Sequence, residues 1–133
     1  MKKQYAMGTK HLHSVLGIHG IGHERLQQLL SRLLPQIQSI FHNKLRRVIL
    51  YGSYARGDED PESDLDVLVL VDETPEELRQ YEETLLKIRV DLSLEFDLVL
   101  SVRPKSCGEY EKYVQFVPFY KNVEREGILL YGR

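Results

Sequence analysis

Val48-Ile49-Leu50-Tyr51-Gly52-Ser53-Tyr54-Ala55-Arg56-Gly57, followed by Ser63-Asp64-Leu65-Asp66-Val67-Leu68-Val69-Leu70-Val71, decides how this chain folds. The spacing predicts an apolar strand over Arg47–Tyr51 that runs into Gly-Ser, then a second apolar strand opened by Asp-x-Asp. Gly52 lets the backbone approach a ligand because it carries no side chain. Ser53 is placed to cap a short helix through Tyr54, Ala55 and Arg56. A helix start offers free N–H groups and partial positive charge, which suits a phosphate. The Ser53 hydroxyl and the Arg56 guanidinium would add to that site. A Gly-Ser pair alone is also what an ordinary strand-to-helix turn contains.

The acids that follow change the weighting. Residues two apart in a strand share a face, so Asp64 and Asp66 point the same way, with Cα atoms roughly 6.5–7 Å apart. Two carboxylates at that separation can flank one or two cations. Their oxygens are hard ligands, favouring Mg²⁺ or Mn²⁺ over Zn²⁺. Solvation of a surface turn accounts for Asp58, Glu59, Asp60 and Glu62. It does not account for Asp66, set between Leu65 and the apolar run Val67–Val71. A carboxylate in such company needs a partner, a proton or a metal.

Gly52-Ser53, ten intervening residues and Asp64-Leu65-Asp66 resemble the signature of the DNA polymerase β-like nucleotidyltransferase superfamily. More narrowly, Gly-Ser-Tyr-Ala-Arg-Gly and Ser-Asp-Leu-Asp resemble the minimal nucleotidyltransferase (MNT) proteins of bacteria and archaea. The closing segment Pro118–Tyr131 is similar to the end of many such domains, and the likeness spans about residues 23–131. The resemblance implies Mg²⁺ or Mn²⁺ on Asp64 and Asp66, ATP as substrate, and Gly52, Ser53 and Arg56 on its phosphates. It also implies a third catalytic and metal-binding carboxylate on a neighbouring strand, for which Asp97 is the candidate. Asp91 is a second contender. If helix persists to Leu94 or so, Asp97 falls at a helix end and the third position moves near Ser101, where there is no acid.

The remaining sequence frames this motif. The chain has 133 residues, 42% hydrophobic and 29% charged, which predicts one soluble globular domain with a real core. A net charge of −2 gives no general basic field, so direct nucleic-acid binding is not expected. The single Cys107 forbids an internal disulfide and fits a reducing cytoplasm. There is no apolar run of membrane-spanning length. Residues 1–22, with glycines at 17, 20 and 22, are expected to form a loose arm, and His11, His13, His19 and His23 match no zinc pattern. Residues 23–133 then form the domain.

Leu26, Leu29, Leu30, Leu33, Leu34, Ile37, Ile40 and Phe41 predict an amphipathic helix, kinked or divided at Pro35. Thr74-Pro75-Glu76-Glu77 is a helix start with a capping box, and Leu78, Tyr81, Leu85 and Ile88 mark its buried face. Phe96–Val102 reads as a third strand ended by Arg103-Pro104-Lys105. From Glu109, aromatics at helical spacing predict a further helix broken at Val117-Pro118. The order predicts an α/β (or α+β) domain, a small mixed sheet with helices covering one face.

Three functions follow as expectations. In the first, the chain moves AMP from ATP onto a tyrosine of a HEPN-domain toxin, acting as its antitoxin, as the resemblance implies. In the second it modifies a small molecule, as aminoglycoside nucleotidyltransferases do, although the chain is short for an added substrate-binding region. In the third it neutralises its partner by binding alone. Homo-oligomerisation is left open by the sequence.

Overall fold

A computed structural model describes residues 23–132. The expected arm, with His11, His13 and His19, lies outside them. In chain order the elements are α1 (His23–Phe41), β1 (Leu45–Tyr51), α2 (Ser53–Arg56), β2 (Leu65–Val71), α3 (Pro75–Leu78), α4 (Glu82–Phe96), β3 (Leu100–Ser106), α5 (Cys107–Tyr113), α6 (Pro118–Glu126) and β4 (Ile128–Gly132). Single 3-10 turns, His42–Lys44 and Arg79–Tyr81, lead into β1 and α4. The four strands form one mixed sheet in the order β3-β2-β1-β4. β1 runs antiparallel to both β2 and β4, and β2 runs parallel to β3 through the α4 crossover.

The mixed α/β architecture agrees with the sequence, but helices cover both faces of the sheet rather than one. Val48, Leu50, Leu65, Val67, Val69 and Val71 pack with Leu26, Leu29, Leu33 and Ile37 of α1 and with Leu85, Ile88, Leu92 and Phe96 of α4. On the opposite face Ile49, Leu68, Leu70 and Leu129 pack with Cys107 and Tyr110 of α5 and Val123 of α6. The physical reason lies in β2. Its unbroken Val67–Val71 run has no polar face to leave in water, so both sides of that strand are buried.

Two strands differ from expectation. β3 begins at Leu100, four residues later than predicted, because α4 runs on through Phe96. It also continues through Arg103-Pro104-Lys105, past its expected end. β3 is an edge strand, and a proline that cannot donate to the ladder is tolerated there. β4 is the second difference: Ile128–Gly132 adds to β1 on the other edge, with Leu50 opposite Ile128. Pro35 sits inside α1, which continues unbroken as one element.

The predicted start of α3 is present in full. The Thr74 N–H donates to Glu77 Oε1 at 2.9 Å, and the Glu77 N–H donates back to Thr74 Oγ1 at 3.1 Å. Thr74→Ala removes this reciprocal cap and is expected to cost about 1 kcal/mol of stability. Urea unfolding of the two proteins checks it; an unchanged midpoint would mean that water replaces the cap without loss. The next turn is pinned by a buried acid. Tyr81 donates its hydroxyl hydrogen to Glu73 Oε2 at 2.8 Å, and Lys44 Nζ lies 3.4 Å from the same oxygen.

Candidate active site

The site forms where β1 ends and β2 begins. Tyr51, the last residue of β1, stands opposite Asp66 in the ladder. Gly52 then turns the chain with φ 81° and ψ −158°, a conformation open essentially to glycine alone. It acts as the N-cap of α2, so Ser53 is the first helical residue and makes no side-chain cap. That corrects the capping role expected for Ser53, since a cap needs extended backbone and Ser53 is already helical. Its hydroxyl is half-exposed instead, beside the leading N–H groups of the turn. Gly57 closes the turn in the left-handed region, its N–H bonded to the Ser53 carbonyl at 2.9 Å.

Asp66 faces this turn. A methyl group added to Gly52 would lie 2.5 Å from Asp66 Oδ2, so the missing side chain is the space that the carboxylate fills. Alternation puts Asp66 on the same face as Leu68 and Leu70, the face covered by α5 and α6. It is half-buried, whereas Asp64, just ahead of β2, is exposed. Burial raises the Asp66 pKa above the usual carboxylate value, and the Asp64 charge pushes it further the same way. The Arg103 and Arg56 guanidinium groups pull it back down. Two neighbouring acids, one of them poorly solvated, form a donor set that a divalent cation relieves, so the residues present fit Mg²⁺ or Mn²⁺.

Arg56 stands at the end of α2, where Nε lies 3.2 Å from Asp58 Oδ2 and Nη1 3.4 Å from Glu126 Oε1. Both contacts are exposed, so each is weakly held and can be exchanged for a phosphate at little cost. Asp97 is not on β3 but at the end of α4. Its backbone takes the left-handed region at φ 55° as the C-cap of α4, with its N–H bonded to the Ser93 carbonyl. A short polar side chain tolerates that conformation, and it is the helix stop rather than a strand residue. Ser101 is the residue of β3 that pairs with Asp66. Among the described residues no three His, Cys, Asp and Glu side chains gather as a metal-holding group, and Asp97 stands at a helix stop rather than on the neighbouring strand where the third carboxylate was expected. Asp91 lies within α4.

Nothing in the local sequence marks Arg103 as a site residue. It is exposed on β3, on the same strand face as Ser101, and its guanidinium lies 6.0 Å from the centre of the Phe119 ring. Only the two-residue alternation from Ser101, once β3 is paired with β2, could have brought it to light.

A family profile described as a nucleotidyltransferase domain matches residues 30–130. The chain belongs to this family. Among curated relatives, "Putative protein adenylyltransferase" of Methanocaldococcus jannaschii is 45% identical over 74 residues, 56% of this chain and 73% of the relative. Protein adenylyltransferase MntA of Thermococcus cleftensis is 34% identical over 80 residues, 56% of this chain and 79% of the relative. Among solved structures, a chain of a toxin-antitoxin complex with AMP-PNP is similar with a TM-score of 0.49 and 20% identity, over 75% of this chain and 71% of that one. The nucleotidyltransferase thus places its Gly-Ser turn and its Asp-x-Asp pair against each other at one end of the sheet. Among its described residues no helix is long and apolar enough to cross a membrane.

Proposed function

We propose that this nucleotidyltransferase moves AMP from ATP onto a hydroxyl of a partner protein. One observation carries the reading: the half-buried Asp66 carboxylate occupies the space left by Gly52, beside a second acid and a phosphate-ready turn. Asp64 and Asp66 are the residues that would hold Mg²⁺ or Mn²⁺. When bound, such an ion neutralises phosphate charge and makes an acceptor hydroxyl easier to deprotonate. The Gly52-Ser53 turn offers its N–H groups and the Ser53 hydroxyl to the outer phosphates. Arg56 exchanges Asp58 and Glu126 for the charge that grows on the leaving pyrophosphate. The acceptor hydroxyl gives up its proton to solvent, and its oxygen bonds to the α-phosphorus as the bond to pyrophosphate breaks. Most of the catalysis is positioning and charge stabilisation, which suits so small a constellation.

The protein acceptor is supported by the names of the adenylyltransferase relatives. The acceptor class, a tyrosine of a HEPN-domain toxin, rests on the resemblance of Gly52–Gly57, Ser63–Asp66 and Pro118–Tyr131 to MNT proteins. Ser101 at the ladder position of Asp66 favours a second reading, in which the chain neutralises that partner by contact without transfer. The test is label transfer from α-³²P-ATP with Mg²⁺, with and without a HEPN-domain partner protein. Label on the partner supports the enzyme. A stable complex that never takes label supports the binding protein, and label on neither directs the search to a small-molecule acceptor.

A further inference from the structure

We propose that Tyr51 is a nucleotide-binding residue, its hydroxyl donating a hydrogen bond to a phosphate oxygen of the bound triphosphate on a wall shared with Arg103. The inference rests on the nucleotidyl-transfer reading and adds to it a contact outside the Gly-Ser and Asp-x-Asp motifs. Tyr51 packs its ring on the face covered by α5 and α6. It closes β1 opposite Asp66, and its side chain lies on the α5/α6 face with Ile49. Phe119 holds the ring edge-on, with centroids 5.3 Å apart and an angle of 82° between planes.

The hydroxyl is the anomaly. It is shut away from solvent and has no hydrogen-bond partner among the described residues. A buried hydroxyl without a partner is costly, and phenylalanine would supply the same ring without that cost. Such a group is explained when its partner arrives with a ligand. The surroundings narrow what that ligand offers. Asp66 stands opposite Tyr51 in the ladder. Arg103 is exposed over the Phe119 ring that clamps Tyr51. A neutral O–H donor and a guanidinium on one wall are jointly matched by an anionic oxygen. A triphosphate seated on the Gly52-Ser53 turn brings such oxygens, whereas the hydroxyl of an acceptor would leave Arg103 unmatched.

The test is calorimetric titration of the full-length protein with a non-hydrolysable ATP analogue and Mg²⁺, and separately with adenosine. It is run on wild type, Tyr51→Phe and Arg103→Gln, beside thermal unfolding without ligand. Tyr51→Phe is expected to unfold a few degrees higher, because the orphaned hydroxyl is gone. It is also expected to bind the analogue about tenfold more weakly, with adenosine binding unchanged. Arg103→Gln should weaken the analogue in the same direction. Unchanged analogue affinity in Tyr51→Phe overturns the proposal, whatever its Tm, and an equal loss for adenosine overturns the phosphate assignment. Failure of the wild-type protein to bind the analogue at all would instead overturn the nucleotidyl-transfer reading beneath it.

Discussion

Asp66→Asn is expected to lower transfer by at least about a thousandfold, roughly 4 kcal/mol of transition-state stabilisation, and at the same time to make the free protein more stable. The two effects have one cause. Asparagine keeps the shape that fits against Gly52 but loses the charge that burial and Asp64 both disfavour. In the free protein that charge is a burden. Under the proposed function it becomes useful when a cation and a triphosphate come to meet it. Activity with Mg²⁺ and thermal unfolding in chelator, measured on the same samples, separate these consequences. A variant that is inactive and also less stable would mean that Asp66 holds the fold rather than the ligand.

The direction of the Asp66 shift sets the pH dependence. Its pKa is raised in the folded protein, so its contribution to stability is fully present below the ordinary aspartate value. That contribution is lost as pH rises through the raised value. Metal affinity should run the other way over the same window, because only the ionised carboxylate is a ligand. Wild-type protein in chelator should therefore lose stability relative to Asp66→Asn as pH climbs from about 3.5 towards neutrality. Mn²⁺ titrations across that range should show affinity rising. Parallel pH profiles for the two proteins would sink the argument.

What could be read from the sequence was local chemistry, and what could not depended on pairing. The Gly-Ser turn, the capping box at Thr74 and the apolar run of β2 each announce themselves within a few residues. The same β2 run also pointed to helices on both faces, since it leaves no side for water, but one covering layer was expected. Asp97 misled because Phe-Asp-Leu-Val-Leu has the composition of a strand. Its first two residues finish a helix, and the Leu100 N–H bonded to Ser93 Oγ at 3.0 Å ties the strand start back to that helix. Ile128–Gly132 is too short to declare itself and becomes a strand only through β1. Ser101 and Arg103 reach the site through the parallel register of β3 on β2, which no window of sequence contains.

Gly52→Ala is the second large expected effect, and it strikes fold and site together. Alanine must adopt φ 81° with ψ −158°, where residues with a Cβ are strained by about 1–3 kcal/mol. Its methyl group would also sit 2.5 Å from Asp66 Oδ2 and 3.3 Å from Cγ, a clash relieved only by moving the carboxylate or the turn. The variant should lose about 2–4 kcal/mol of unfolding free energy, and the fraction that folds should not transfer AMP. A double-mutant cycle with Asp66→Ala divides the two costs. Removing the carboxylate takes away the clash and leaves the backbone strain, so Gly52→Ala should be less destabilising in that background than in wild type. Urea unfolding of the four proteins measures the difference. Strict additivity would show that the glycine is needed for its backbone alone; positive coupling would tie it to Asp66, whose carboxylate a methyl group there would strike.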